Sequence, residues 1–217
     1  MNDLDDIKQK LFVALISDTL DAAGVTNQAL PARIRPLDTG LKMVGRARTG
    51  LFMDVYDVQP DENPYELEIA LIDSLRPGDV AVMACAASGR IAPWGELLST
   101  ASRERGAVGA LMDGYVRDTH AIAAMRFPVF HGGIAPLDSK GRGKIMAIDV
   151  PVECAGVRVC PGDLVVGDAD GVVVVPRAVE AQVLEAAFTK LQSERNTLSD
   201  LKRGLLLKDC YEKYGVL

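Results

Sequence analysis

The chain has 217 residues, of which 48% are hydrophobic and 25% charged, with a formal net charge of -6. That composition suits one globular domain with a substantial core, and the absence of a dense basic run argues against nucleic acid as a direct partner. Cys85, Cys154, Cys160 and Cys210 form no C-x-x-C pair and there are two histidines, which excludes the usual zinc patterns and suits a reducing, cytoplasmic setting.

Asn2 or Asp3 can cap an opening helix with Leu4, Ile7, Leu11 and Leu15 on one face. Met1 to Lys10 is acidic and polar, unlike a secretory signal. No apolar run approaches the roughly 18 residues needed to span a bilayer. A further segment from Ser17 stops at Gly24, and Leu41 to Arg48 is strand-like. Pro64 to Ser74 reads as a helix with Leu67, Ala70, Leu71 and Ile72 apolar. The turn Arg76-Pro77-Gly78-Asp79 leads into a strand, Val80 to Ala87. Ser88 to Gly95 is a loop, Glu96 to Arg105 a helix closed by Gly106, and Val108 to Met112 a strand. A short helix over Thr119 to Arg126 and a short strand over Pro128 to Phe130 follow. Ile145 to Val159 reads as mostly strand. A second Pro-Gly-Asp turn at 161–163 precedes Leu164 to Val166, and Asp170-Gly171 signals a hairpin into Val172 to Val175. From Ala178 the chain is helical and charged through Lys202, with a short ending after Gly204. The expected organisation is one domain over 1–217 with a C-terminal helical extension from about 178.

The strand, helix and strand between Val80 and Met112 form a β-α-β unit. Its helix must run antiparallel to two parallel neighbours, so the helix start and the end of the second strand share the carboxyl edge of the sheet. A helix of about ten residues covers roughly 15 Å. That return brings Asp113 to Asp118 level with Gly95 to Leu98, at the edge where ligands of open α/β sheets bind. The first helical amides, at Glu96, Leu97 and Leu98, lack intrahelical acceptors and form an anion site with the helix dipole. Gly95 lets a ligand approach the backbone. Arg117 offers a fork of donors for a carboxylate or enolate oxygen, and Asp118 a hard oxygen ligand for Mg2+ or Mn2+. Glu96 could hold one of the waters of that ion.

The acid Glu96, twenty intervening residues and then Arg117-Asp118 form a pattern that resembles the class II pyruvate aldolases acting on 4-hydroxy-4-methyl-2-oxoglutarate and 4-carboxy-4-hydroxy-2-oxoadipate. The regulator of ribonuclease activity A shares their fold family. The resemblance runs from about Ser17-Asp18-Thr19-Leu20 through Phe127-Pro128-Val129-Phe130 to Gly167–Pro176. It implies an α/β fold, a β/β/α swivelling-type sandwich, assembled as a homotrimer or homohexamer with its site between subunits. It also implies a metal on Asp118, the substrate keto oxygen on Arg117 and the pyruvyl carboxylate on the amides of Leu97 and Leu98. A glutamate from a neighbouring subunit's C-terminal helix contributes in the aldolases, and Glu194 is the match here. In the aldolases the first acid is usually Asp, and the regulators resemble Gly there, so Glu96 points to catalysis. Ala121 stands where the regulators carry an acid, and His131 and Gly132 stand where small or basic residues are more frequent.

The expected reaction is metal-dependent cleavage of a 4-hydroxy-2-oxo acid to pyruvate and a second carbonyl compound, with oxaloacetate decarboxylation as a side activity. A Schiff-base route needs a lysine in an apolar pocket. Lys42 falls in phase with Arg46 and Arg48, on an expected outward face, which leaves the Lewis-acid route. His120 is expected on a helix surface, Trp94 as packing before the helix, and Arg126 and Arg142 as surface charges. The rival reading is a protein-binding regulator without chemistry.

Overall fold

The computed structural model describes residues 4–216. Its elements in chain order are α1 (Leu4–Lys10), α2 (Val13–Ala22), β1 (Arg35–Pro36), β2 (Met43–Asp54), α3 (Glu66–Asp73), β3 (Asp79–Ala84), α4 (Glu96–Glu104), β4 (Gly109–Met112), β5 (Tyr115–Val116) and α5 (Thr119–Met125). They continue as β6 (Val129–His131), β7 (Gly133–Ile134), β8 (Gly143–Ile148), β9 (Val152–Cys154), β10 (Val157–Val159), β11 (Leu164–Asp168), β12 (Gly171–Val175), α6 (Glu180–Lys202) and α7 (Leu207–Tyr214). Among the described residues no helix is long and apolar enough to cross a membrane.

The fold is α/β, as the resemblance implies. The main sheet runs β1-β6-β4-β3-β2-β11-β12. Its β2, β3, β4 and β6 are parallel neighbours, extended antiparallel by β11 and then β12 on one side and by β1 on the other. The long β2 serves two strands along one side: β11 pairs with Met43 to Arg46 and β8 with Gly50 to Asp54. Strand β3 alternates between two cores. Ala81 and Met83 pack with Leu71, Ile72, Trp94 and Ile122, beneath α3, α4 and α5. Val80, Val82 and Ala84 pack with Val152, Cys154, Val157 and Val159 of the β9-β10 hairpin. Burial on both faces is what a central parallel strand requires, and it explains the uninterrupted apolar run. A third core joins α1, α2 and α6 to Val173 and Val175 on the outer face of β12.

Several expectations change. The opening helix is broken at Leu11-Phe12, where Phe12 is extended (φ -139°, ψ 159°). The Val13 amide, at the start of α2, donates to Asp168 Oδ2 at 2.9 Å. A carboxylate far along the chain thus caps α2, and no local sequence signal announces it. Asn2 and Asp3, the expected caps of α1, lie outside the described residues. Strand β3 ends at Ala84 because Ala86 and Ala87 take left-handed backbone (φ 49° and 53°). The stretch 145–159 divides into β8, β9 and β10, with left-handed turns at Asp149 and Ala155. The ending after Gly204 folds as α7, which buries Cys210. The Asp170-Gly171 hairpin forms as expected, in register from Leu164↔Val175 to Asp168↔Gly171. The two Pro-Gly-Asp turns use their aspartates alike: Asp79 accepts the Arg76 amide and Asp163 the Cys160 amide, both at 2.8 Å.

Candidate active site

The helix start is fixed by Trp94, two residues before it, and by Ser99 in its first turn. Trp94 is fully buried, donates from Nε1 to Ser99 Oγ at 2.8 Å, and stacks on Phe127 with ring centroids 6.5 Å apart. Ser99 Oγ donates in turn to Gly95 O at 2.9 Å. The first intrahelical backbone bond is Ser99 N–H to Gly95 O at 3.1 Å. The Leu97 and Leu98 amides therefore have no helical acceptor.

The Arg-Asp pair reaches this helix start by a device that no local sequence pattern announces. Strand β5 leaves the main sheet and pairs in parallel with β7, and Val116 bridges to Trp94 on its other side. The Arg117 amide donates to Trp94 O at 2.9 Å, and the Ala135 amide to Val116 O at 3.1 Å. This small ladder at the carboxyl edge sets Arg117-Asp118 against Gly95-Glu96. Asp118 then turns into α5 with left-handed backbone (φ 55°, ψ 33°), a conformation Asp tolerates better than most residues.

Asp118 Oδ2 accepts the Glu96 amide at 3.2 Å and lies 3.8 Å from Arg117 Nε. No protein donor among the described residues bonds to Oδ1, and the side chain is 46% exposed. Gly95 leaves room for this contact: a Cβ there would stand 2.5 Å from Asp118 Oδ2 and 3.2 Å from Arg117 Cγ, so the Asp118 carboxylate would have to shift. The Arg117 guanidinium also approaches Asp138 Oδ1 at 3.8 Å and Leu137 O at 3.4 Å.

A cavity of about 310 Å³ opens here. Of the expected site residues, Gly95, Leu97, Leu98, Arg117 and Asp118 line it. Glu96 contributes its amide to Asp118, while its side chain is exposed beside the cavity rather than in its wall. Glu194 lies elsewhere in the chain, in a groove between α2 and α6 with Asp18 and Leu191, 3.9 Å from Lys190. Among the described residues no lysine lines the cavity. Lys42 precedes β2 and donates to Leu11 O, while Arg46 pairs with Glu180 and Arg48 with Asp149. His120 is exposed on α5, and neither Arg126 nor Arg142 lines the cavity.

The rest of the lining carries no sequence motif. Tyr65 and Glu68 come from α3 and the residue before it, and Asp138 and Ser139 from the loop after β7. Tyr65 Oη donates to Asp138 Oδ2 at 2.8 Å. Burial, aided by the Asp138 charge, pushes the Glu68 carboxyl up to about 7, against the pull of Arg117. Burial also tends to raise Asp138, but the Tyr65 hydroxyl, the Lys140 and Ser139 amides and Arg117 together hold it below the usual range. Burial and the Asp138 partner push Tyr65 up to about 12. The sequence did carry a signal. Glu68 stands in helical phase with the buried Leu71, Ile72 and Leu75, so an acid occupies the core-facing stripe.

The donor set fits a hard divalent cation. Among the described residues no cluster of three or more His, Cys, Asp or Glu side chains could enclose a metal. Mg2+ commonly binds through one or two carboxylates and keeps several waters, and Asp118 has an open oxygen for that role.

Residues 13–174 match the RraA-like family, Aldolase/RraA. A Halalkalibacterium halodurans protein provisionally named 4-hydroxy-4-methyl-2-oxoglutarate aldolase is 38% identical over 175 residues, covering 81% of this chain and 77% of that protein. A solved structure from Pseudomonas syringae pv. tomato superposes with TM-score 0.83 at 28% identity, covering 95% of each chain. Streptomyces coelicolor RraAS2, described as an unusual member of the RNase ES inhibitor RraA protein family, superposes with TM-score 0.81 at 30% identity, covering 91% of this chain and 96% of that one. With the matched family spanning most of the sequence and the same fold recurring in these structures, the chain belongs to the Aldolase/RraA family.

Proposed function

We propose that this protein is a class II pyruvate aldolase. It cleaves a 4-hydroxy-2-oxo mono- or dicarboxylic acid to pyruvate and a second carbonyl compound, with Mg2+ or Mn2+ as cofactor. The observation that carries the reading is the half-exposed Asp118 carboxylate, one oxygen uncommitted, beside Arg117 and the free amides of α4. The likeness to the provisionally named aldolase supports the reaction class.

A divalent ion on Asp118 would polarise the 2-keto group as a Lewis acid. The Leu97 and Leu98 amides hold the substrate carboxylate at the positive end of α4. Gly95 keeps the approach clear, and Arg117 shares the negative charge that develops on the enolate oxygen. A water held by Glu96 takes the proton of the C4 hydroxyl. The C3–C4 bond then breaks, its electron pair stays with C3 as pyruvate enolate, and C4 leaves as a carbonyl. By resemblance to the aldolases, Glu194 of a neighbouring copy in a homotrimer or homohexamer assists that water. Among the described residues the cavity is walled without lysine, which favours this route over a Schiff base. Oxaloacetate passes through the same enolate, so its decarboxylation is an expected side activity.

A panel of 4-hydroxy-2-oxo acids with coupled pyruvate detection tests the reading, run with Mg2+ and with EDTA. Pyruvate release that requires the metal is expected. No release from any member would favour the second reading, a protein-binding regulator without chemistry, for which the likeness to the RNase ES inhibitor family member speaks. Glu96, the acid at the position the regulators leave without one, is the residue that weighs against it.

A further inference from the structure

The catalytic assignment above leaves one wall of the cavity without a task. Glu68 is 7% exposed and lines the same cavity as the free amides of Leu97 and Leu98. Among the described residues no group hydrogen-bonds or ion-pairs with its carboxyl, yet neither of its oxygens is sealed off. A buried carboxyl normally recruits a partner, and this one is left to whatever fills the cavity.

Its neighbours are committed. The Tyr65 hydroxyl donates to Asp138, and Asp138 also faces the Arg117 guanidinium. The charge state differs accordingly: Asp138 stays ionised, whereas Glu68 is held by burial near neutrality, where acid and base forms coexist. From the end of β3 the buried Cys85 thiol also feels the Glu68 charge, and burial holds that thiol protonated. Two carboxyl groups whose surroundings push them apart in acidity are the usual mark of an acid and base pair of roles.

Substrate placement gives Glu68 its partner atom. A 2-oxo acid with its carboxylate on the Leu97 and Leu98 amides and its keto oxygen at Arg117 has C3 left to face the remaining wall. Among the described residues, Glu68 is the carboxyl of this lining left without a hydrogen-bond or ion-pair partner, since Asp138 is held by Tyr65 and Arg117 and Asp118 by the Glu96 amide. We propose that Glu68 is the general acid that protonates C3 of the pyruvate enolate. This rests on the aldolase reading above and names the group which completes it. The Glu68 O–H bond breaks as the C3–H bond forms, the enolate pair becomes that bond, and the keto group is restored. Glu68 then regains its proton from water, while the proton taken from the C4 hydroxyl returns to solvent, so no net charge or redox change remains.

The test is exchange of the pyruvate methyl protons in D2O with Mg2+, followed by proton NMR, for wild type, Glu68→Gln and Glu68→Asp. Removing a general acid typically costs about 10²–10⁴-fold. Glu68→Gln should therefore lose at least about a hundredfold in exchange while binding oxalate, a mimic of the enolate, within threefold of wild type. Glu68→Asp, which keeps the acid on a shorter arm, should exchange at an intermediate rate. A carboxyl carbon NMR titration of the metal-free protein should show a resonance that titrates near neutrality and vanishes in Glu68→Gln. Exchange by a folded Glu68→Gln at the wild-type rate would overturn the assignment while leaving the aldolase reading intact. If Glu68→Gln does not fold, Glu68→Asp at the wild-type rate with no carboxyl titrating near neutrality overturns it. Wild-type protein that neither exchanges pyruvate protons nor releases pyruvate would overturn both.

Discussion

Asp113 and Asp118 sit on one short segment at the carboxyl edge of the sheet, and their carboxylates are used in opposite ways. Asp113 is buried at 4% exposure and accepts the amides of Cys85, Ala87 and Ala155. Three left-handed residues, Ala86, Ala87 and Ala155, curl the two loops around it. Asp118 takes one amide, from Glu96, and keeps the rest of its acceptor capacity open. A carboxylate saturated by backbone amides holds loops together. One with free lone pairs beside an arginine and a helix start is available to a ligand. Acid content alone does not separate these roles; the count of satisfied acceptors does.

The largest expected effects come from breaking this contrast. Arg117→Ala should lower kcat/KM by at least about 10²–10³-fold, the usual cost of losing one preorganised oxyanion donor. Its thermal stability should shift little, because half-exposed ion pairs contribute about 1 kcal/mol or less. Steady-state kinetics and a melting curve on the same preparation check both halves. Asp113→Ala should do the reverse in kind, destabilising by about 3 kcal/mol or more as buried amides lose their acceptor, which denaturant titration measures.

The buried acid sharpens the contrast through pH. The folded state raises Glu68 from 4.5 to about 7, so between those values the folded chain binds the proton that the unfolded chain has released. Its contribution is complete below about pH 4.5 and is lost as pH rises through about 7. Stability should fall by roughly 2–3 kcal/mol across that window, and Glu68→Gln should flatten this part of the profile. The smallest effect is expected for Gly95→Ala. Its new Cβ must displace Asp118 Oδ2, so activity should drop about tenfold with little change in melting temperature.

The sequence shows the core strands and the end of α4 because those rest on local patterns: apolar runs at Val80 and Val172, Gly106 after α4, and the Asp170-Gly171 turn. The acid and Arg-Asp spacing was likewise visible, since a β-α-β return places both ends at one sheet edge. What joins them was not. Strand β5 is two residues long, and its pairing with β7 and Trp94 spans sequence-distant segments that carry no periodic signal. The cap that Asp168 gives α2 escapes for the same reason. Glu68 was legible in principle, as a charge in step with Leu71 and Ile72, but its meaning depends on Asp138 and Arg117 arriving from elsewhere in the chain. Glu194 reads as a site residue only by resemblance, and within one chain it lies in a different groove.

The most direct measurement is pyruvate release by Asp118→Asn beside wild type, with saturating Mg2+ and a cleavable 4-hydroxy-2-oxo acid. Asn keeps the side-chain shape and tolerates the left-handed backbone at this position, so the variant should melt close to wild type. The account predicts that its turnover falls to the level seen with EDTA. A folded Asp118→Asn that releases pyruvate at the wild-type rate would contradict it.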